Sequence, residues 1–111
     1  MKTILITGAS RGIGAATARL AAERGYSVCI NYRKNAAAAD LLVQEIESKG
    51  GNAIAIRADV STEPEVVSLF EEVDRALGPL NALVNNAGIV EQQMRLDQMN
   101  SDRLHRIFTT M

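Results

Sequence analysis

The feature that most constrains the fold of this chain is a regular alternation of short apolar runs with longer amphipathic segments. Four apolar runs, at residues 3–7, 27–31, 53–57 and 80–84, have the length and composition of strands that are buried on both faces. Helical patterns of apolar residues separate these runs. Parallel strands need such crossovers, because a hairpin cannot join them. The sequence therefore predicts a doubly wound α/β fold with a parallel sheet.

Glycine and capping residues mark where the predicted helices begin and end. The first helical pattern begins at Gly12 and stops at Gly25, in the position where a C-terminal glycine commonly ends a helix. The second is rich in alanine. The third follows Thr62, and Glu65 stands in the spacing of a capping box. A last helical pattern covers residues 101–111.

Size and composition predict one small globular domain. The 111 residues are 47% hydrophobic and 23% charged, which is far from the composition of a disordered chain. A net charge of -1 provides no general field for nucleic acid or anionic lipid. The single cysteine, Cys29, excludes an intrachain disulfide and fits a reducing compartment, and no residue cluster suggests a metal. The first residues are too short an apolar run for a signal peptide, so we expect a cytoplasmic protein.

A glycine-rich turn joins the first strand to the first helix. It reads Thr-Gly-Ala-Ser-Arg-Gly-Ile-Gly over residues 7–14, with glycines at 8, 12 and 14. Glycine lets the backbone approach an anion, and the free N–H groups at a helix N-terminus bind it. This strand-turn-helix context favours a dinucleotide pyrophosphate over an ordinary tight turn. ATP is less favoured, because no Lys-Ser or Lys-Thr pair follows the glycines.

The end of the second strand bears on which dinucleotide is bound. NAD sites usually carry an acid there for the ribose 2′-hydroxyl, whereas this chain has Asn31, Tyr32 and Arg33. A carboxylate would repel a 2′-phosphate, while Arg33 together with Arg11 could pair with it. The sequence therefore favours NADP(H) over NAD. The alternative is that Arg33 and Lys34 form a solvated loop.

Polar residues also follow the third and fourth strands. Asp59 could accept a hydrogen bond from the adenine amine while Val60 packs near the ring, or Asp59 could equally cap the following turn. After the fourth strand come Asn85 and Asn86, then an alanine and a glycine that leave room for ribose and nicotinamide. Two asparagines in this position need partners, which favours a binding or backbone-locking role.

These motifs, in this order and at these strand ends, resemble the short-chain dehydrogenase/reductase family across nearly the whole chain. The lack of an acid after strand two is similar to the NADP-preferring members, including β-ketoacyl carrier-protein reductases and sugar dehydrogenase-like proteins. The resemblance implies a Rossmann-type fold. It also implies pyrophosphate contacts from Gly8, Ser10, Arg11, Gly12, Ile13 and Gly14, adenosine phosphate contacts from Arg11, Asn31, Tyr32 and Arg33, adenine contacts from Asp59 and Val60, and nicotinamide ribose contacts from Asn86, Ala87 and Gly88.

The same resemblance implies an oxidoreductase that transfers hydride between the nicotinamide and a carbonyl or secondary alcohol. The family's catalytic serine and Tyr-x-x-x-Lys motif lie beyond the point where this chain stops, and neither Tyr26 nor Tyr32 has a lysine four residues on. We therefore expect residues 1–111 to be the NADP-binding part of a longer chain, inactive alone and with no catalytic residue of its own. A small-molecule substrate and a homo-oligomer are also expected. The alternative is a non-catalytic dinucleotide-binding or interaction module.

Overall fold

The computed structural model describes residues 2–10 and 12–86, which form a four-stranded parallel sheet with helices on both faces. Every strand pairing is parallel, and the strand order is β3-β2-β1-β4. The predicted α/β class is therefore confirmed, with element ends that differ from the sequence prediction by one or two residues. The elements are β1 (Thr3–Ile6), α1 (Gly12–Glu23), β2 (Ser27–Tyr32), α2 (Ala36–Ser48), β3 (Asn52–Arg57), α3 (Glu63–Leu77) and β4 (Leu80–Val84).

Alternate side chains of the central strands pack on opposite faces of the sheet. Leu5 of β1 and Cys29 of β2 belong to a core with α3, in which Phe70 is the largest fully buried side chain. Ile6 and Ile30 belong to a second core with the alanine-rich faces of α1 and α2. Burial on both faces explains why these strands are continuous apolar runs in the sequence.

The third helix does not begin with the predicted capping box. Thr62 occupies the N-cap position but makes no side-chain cap bond, and its hydroxyl donates instead to the carbonyl oxygen of Asp59 at 3.3 Å. Glu65 Oε1 accepts hydrogen bonds from the Asp59 amide at 2.8 Å and from Arg57 Nη1 at 3.2 Å. That part of the prediction is wrong, because Glu65 has closer partners at the end of β3 than at the start of its own helix.

The connections place four loops at one edge of the sheet. All strands run the same way, so the turn after β1 and the segments that begin at Arg33, Ala58 and Asn85 meet at the carboxyl edge. The chain passes from β1 to β2 and β3 on one side and then crosses to β4 on the other. Such a reversal of strand order is where open α/β sheets bind ligands. In the ranges the structure describes, no helix is long and apolar enough to cross a membrane.

Candidate functional site

The turn after β1 is held by hydrogen bonds from three consecutive amides. Thr7 N donates to Val84 O at 3.0 Å, Gly8 N to the side-chain oxygen of Asn31 at 3.2 Å, and Ala9 N to the Asn31 carbonyl at 2.9 Å. β4 and β2 thus bond the first half of the turn from both sides. The amide of Ser10 has no such partner among residues 2–10 and 12–86.

The amides that could bind an anion therefore begin at Ser10 rather than at Gly8. Gly12 and Ile13 follow in the first turn of α1, where helix geometry leaves N–H groups without an intrahelical acceptor. The positive end of the helix dipole lies at the same point. Arg11, which we predicted to contact both phosphate groups, lies outside the described residues. The predicted anion site is thus narrowed to the second half of the turn.

Two glycines of the turn are required for different physical reasons. Gly12 has a φ of +66°, a left-handed conformation that side chains disfavour, although a Cβ there would meet no atom within 4 Å. A Cβ on Gly14 would lie 2.7 Å from Asn86 Nδ2, 2.8 Å from Ala9 Cα and 2.9 Å from Gly8 O. Gly14 therefore permits the close approach of α1 to the turn, which is the packing role expected of a glycine in this loop.

The two asparagines after β4 bond to the turn after β1. Asn86 Nδ2 donates to the Gly8 carbonyl at 2.9 Å, and the hydroxyl of Thr7 donates to Asn85 Oδ1 at 3.4 Å. The backbone-locking role that we predicted for this pair has this geometric support. Their predicted neighbours in the site, Ala87 and Gly88, lie outside the described residues.

An open pocket of about 540 Å³ lies beside the turn, lined by Gly8, Ser10, Tyr32, Arg33, Lys34 and Asn35. Its volume is in the range of small-molecule and cofactor sites. A smaller cleft between α1 and α2, near Arg19 and Lys49, has a volume of about 40 Å³ and could not hold a dinucleotide. From the sequence, Lys34 is named only in the solvated-loop alternative, together with Arg33, and Asn35 is not among the predicted site residues.

Arg33 is the arginine that we predicted to pair with a 2′-phosphate, and the structure places it at this pocket. Its side chain is 61% exposed, and its Nε lies 3.7 Å from Asp59 Oδ2. The Asp59 side chain is 19% exposed, so this is a partly exposed ion pair at the surface, a type of contact that contributes little to stability. The Arg33 guanidinium makes no hydrogen bond with the residues that the structure describes, so it remains available to an anionic ligand.

Asn31 lies in a buried position, although the sequence predicts that it contacts the adenosine phosphate. Only 2% of its surface is exposed, and its side chain bonds with the turn and with the end of β3. Its amide nitrogen donates to Ala58 O at 3.2 Å and Ile56 O at 3.4 Å. The side chain therefore supports the walls of the site, and direct contact with a phosphate stays a prediction that this burial does not favour.

Asp59 turns one oxygen towards its own loop and the other towards Arg33. Its Oδ1 accepts hydrogen bonds from Ser61 N at 2.9 Å and Ser61 Oγ at 2.6 Å, which is an Asx turn. The hydrogen bond from the Ser61 side chain, then the one from its amide, lower the pKa of Asp59, and Arg33 and Arg57 act in the same direction. The turn-capping alternative is thereby supported, while contact with adenine stays a prediction.

Val60 and Tyr32 are mainly packing residues in this structure. Val60 is buried in the core beneath α3, and Tyr32 packs partly against the core of α1 and α2 while it lines the pocket.

The contacts that our sequence reasoning missed centre on Arg57. Its Nε donates to the Arg33 carbonyl at 3.3 Å, so that β3 supports the loop that carries the phosphate-binding side chain.

The sheet order and the glycine-rich turn at its crossover point define an α/β domain of the Rossmann type. A family model described as short chain dehydrogenase matches residues 2–111. The chain belongs to the short-chain dehydrogenase family.

Two relatives illustrate the similarity. An uncharacterized oxidoreductase of Escherichia coli, YgfF, is 44% identical over 110 residues, which are 99% of this chain and 44% of that protein. A 3-oxoacyl-(acyl-carrier-protein) reductase, FabG, of Staphylococcus aureus is 43% identical over 103 residues, or 91% of this chain and 42% of that protein. The chain thus spans less than half the length of these relatives.

Solved structures are similar over the same part of the fold. A crystal structure of a dehydrogenase/reductase from Sinorhizobium meliloti superposes with a TM-score of 0.75 at 45% identity, covering 77% of this chain and 34% of that one. The alternative dihydrofolate reductase FolM of Brucella canis, crystallised in complex with NADP, has a TM-score of 0.69 at 31% identity with the same coverage. The fold is that of short-chain oxidoreductases.

Proposed function

We propose that this chain binds NADP(H) for an oxidoreductase that transfers hydride between the nicotinamide and a carbonyl or secondary alcohol. The observation that carries the choice of cofactor is the chemistry of the loop after β2. No acid occurs among residues 31–35, and Arg33 lies at the pocket with a side chain that is 61% exposed and has only a 3.7 Å ion pair with Asp59 among the described residues. A carboxylate in this loop would repel a 2′-phosphate, whereas a guanidinium pairs with it through charge-assisted hydrogen bonds.

The turn and the start of α1 fit the pyrophosphate of such a cofactor. The amides of Ser10, Gly12 and Ile13 would hold the phosphate oxygens, helped by the positive end of the helix dipole. Gly14 keeps the helix close to the turn, because a side chain there would collide with Asn86 and with the turn backbone. Arg33 and Lys34 would hold the 2′-phosphate at the other side of the pocket.

The bound cofactor would supply the carbon that donates or accepts the hydride. The described residues of this chain bind and orient it, and none is assigned a proton transfer. By resemblance to the family, a serine and a Tyr-x-x-x-Lys motif would supply that step in a longer protein. A small-molecule carbonyl or alcohol substrate, a cytoplasmic location and assembly with further copies of the chain are parts of the same proposal.

The relatives support this proposal at the level of their names. FabG of Staphylococcus aureus is a 3-oxoacyl-(acyl-carrier-protein) reductase, which reduces a carbonyl group, and the FolM structure holds NADP. Because the chain covers under half of these proteins, their activities bear on the whole protein and not on residues 1–111 alone.

Calorimetric titration of the purified chain with NADPH and NADH tests the proposal. We expect NADPH to bind at least about tenfold more tightly, since one charge-assisted contact to the 2′-phosphate suffices for that difference. Loss of NADPH absorbance in the presence of carbonyl substrates then tests turnover. Binding without turnover is the result expected of residues 1–111 alone, so turnover separates the enzyme from the non-catalytic module only in a longer protein that carries the serine and the Tyr-x-x-x-Lys motif. Binding of neither nucleotide would contradict both functions.

A further inference from the structure

Asn31 is a buried polar side chain near the carboxyl end of β2. It is 2% exposed and follows Ile30, which is fully buried. A buried amide without hydrogen bonds would destabilise the fold, so its bonds determine what this residue does. All of them go to backbone groups, at the glycine-rich turn and at the end of β2 and of β3.

The two ends of the Asn31 amide bond to different elements. Its oxygen accepts from the Gly8 amide at 3.2 Å, while its nitrogen donates to Ala58 O at 3.2 Å and Ile56 O at 3.4 Å. Its backbone carbonyl also accepts from Ala9 N at 2.9 Å. One residue therefore connects the glycine-rich turn to the end of β3.

This connection fixes the position of the amides that follow. Gly8 and Ala9 are bonded to Asn31, and Ser10 has the first amide of this turn with no partner among the described residues. At the other end, Ala58 directly precedes Asp59, whose carboxylate faces Arg33. The bonds of Asn31 thus link the turn on one side of the pocket to the segment whose Asp59 contacts Arg33 on the other side.

We propose that Asn31 is a positioning residue. It holds the glycine-rich turn at the distance from the adenosine side of the pocket that binding of the pyrophosphate requires. This inference rests on the proposed function. The position needs an acceptor towards one N–H group and a donor towards three carbonyl oxygens, those of Ala58, Ile56 and, at 3.5 Å, Tyr32. The amide supplies both functions. A carboxylate would keep the acceptor but turn a negative oxygen towards these carbonyl groups in a buried site.

The variant Asn31→Asp tests the inference by affinity at two pH values. At about pH 8 we expect NADPH to bind on the order of twentyfold more weakly than to the unmodified chain, because the ionised carboxyl repels Ala58 O and displaces the turn. Burial raises the pKa of the new carboxyl. At about pH 5 the protonated carboxyl can donate its O–H to the carbonyl oxygen of Ala58. The NADPH affinity of the variant should then return to within about threefold of that of the unmodified chain.

A ligand without a pyrophosphate separates positioning from general loss of structure. Adenosine 2′-monophosphate should lose less than about threefold in affinity for Asn31→Asp at either pH, because it does not need the turn amides. The matched control is Asn52→Asp. Asn52 donates a side-chain hydrogen bond of 3.0 Å to Ser27 at the opposite edge of the sheet, so its substitution should leave NADPH affinity unchanged.

The outcomes distinguish this inference from the proposed function. If the unmodified chain fails to bind NADPH, the proposed function is wrong. If it binds and Asn31→Asp binds equally well at about pH 8, or loses both ligands to the same extent, only the inference is overturned. Should Asn31→Asp not fold, Asn31→Thr replaces it, since its hydroxyl can satisfy one partner and should show the same selective loss. Rapid hydrogen exchange at Gly8 N in the unmodified chain would also overturn the inference.

Discussion

The side-chain nitrogen of Asn86 donates a 2.9 Å hydrogen bond to the carbonyl oxygen of Gly8, and so joins the end of β4 to the turn after β1. The two residues are 78 positions apart in the sequence. The same nitrogen lies 2.7 Å from the position that a Cβ on Gly14 would occupy. The shape of the turn is thus determined jointly by β4, by the start of α1 and by β2, and substitutions at these contacts should act on binding.

Replacing Asn86 with alanine should weaken cofactor binding more than folding. The lost hydrogen bond is at an exposed residue, so we expect a decrease of about 0.5–1.5 kcal/mol in the free energy of unfolding and roughly a fivefold loss of NADPH affinity. Asn81→Ala is the control, since Asn81 accepts a 2.8 Å bond from Thr3 N at the opposite end of β4. Urea denaturation and calorimetry measure both effects. Equal loss of NADPH affinity in the two variants would argue against a local role.

Alanine at Gly14 should be destabilising because of crowding alone. The added methyl group would meet Asn86 and the backbone of the turn at under 3.0 Å, and we expect a loss of about 1–3 kcal/mol together with loss of NADPH binding. Gly50→Ala is the control, because Gly50 has a φ of +85° and a Cβ added there would meet no atom within 4 Å. That variant should lose about 1 kcal/mol through backbone strain. Unchanged NADPH binding by Gly14→Ala would contradict the account.

Asp59→Asn should increase the preference for the phosphorylated cofactor. The substitution keeps an oxygen to accept from the Ser61 amide and removes the negative charge 3.7 Å from Arg33. With that charge gone, we expect NADPH affinity to rise about threefold while the affinity for NADH changes less than about twofold. Glu71→Gln, on the exposed side of α3, provides the control for loss of one negative charge. A fall in the NADPH to NADH affinity ratio would mean that Asp59 assists phosphate binding instead.

Cys29 should be unreactive in the folded chain. Burial, and to a smaller extent the charge of Glu72, raise the pKa of its thiol far above the ordinary value, so the reactive thiolate is not populated at neutral pH. Labelling with an aromatic disulfide reagent should therefore proceed no faster than unfolding and become rapid in denaturing urea. Fast stoichiometric labelling of the native chain would contradict this packing.

The sequence was sufficient to predict the sheet and the turn, because their signals are local. Apolar runs of strand length and glycines at 12 and 25 depend on neighbouring residues only, and the structure has the strands and α1 where these signals predicted them. The capping box failed for the opposite reason. Glu65 bonds to Arg57 and Asp59 across a loop, and residue spacing alone does not reveal that competition.

The role of Asn31 was harder to predict for a geometric reason. In a strand that is buried on both faces, residue type does not indicate whether a polar side chain faces a ligand or a neighbouring backbone. The sequence predicts phosphate contacts for both Asn31 and Arg33, and only the structure separates buried Asn31 from exposed Arg33. For Asp59, the sequence left open whether the carboxylate contacts adenine or caps the following turn. The choice depends on the position of Ser61, which only the structure gives.

The central claim, that Arg33 selects the 2′-phosphate, is tested most directly by the affinities of Arg33→Ala for NADPH and NADH. We predict that NADPH affinity falls at least about tenfold while NADH affinity changes less than about twofold, since only the former has the phosphate that the guanidinium would bind. Arg75→Ala, which removes one positive charge from the exposed last turn of α3, should change neither. An unchanged ratio of the two affinities in Arg33→Ala would contradict the account.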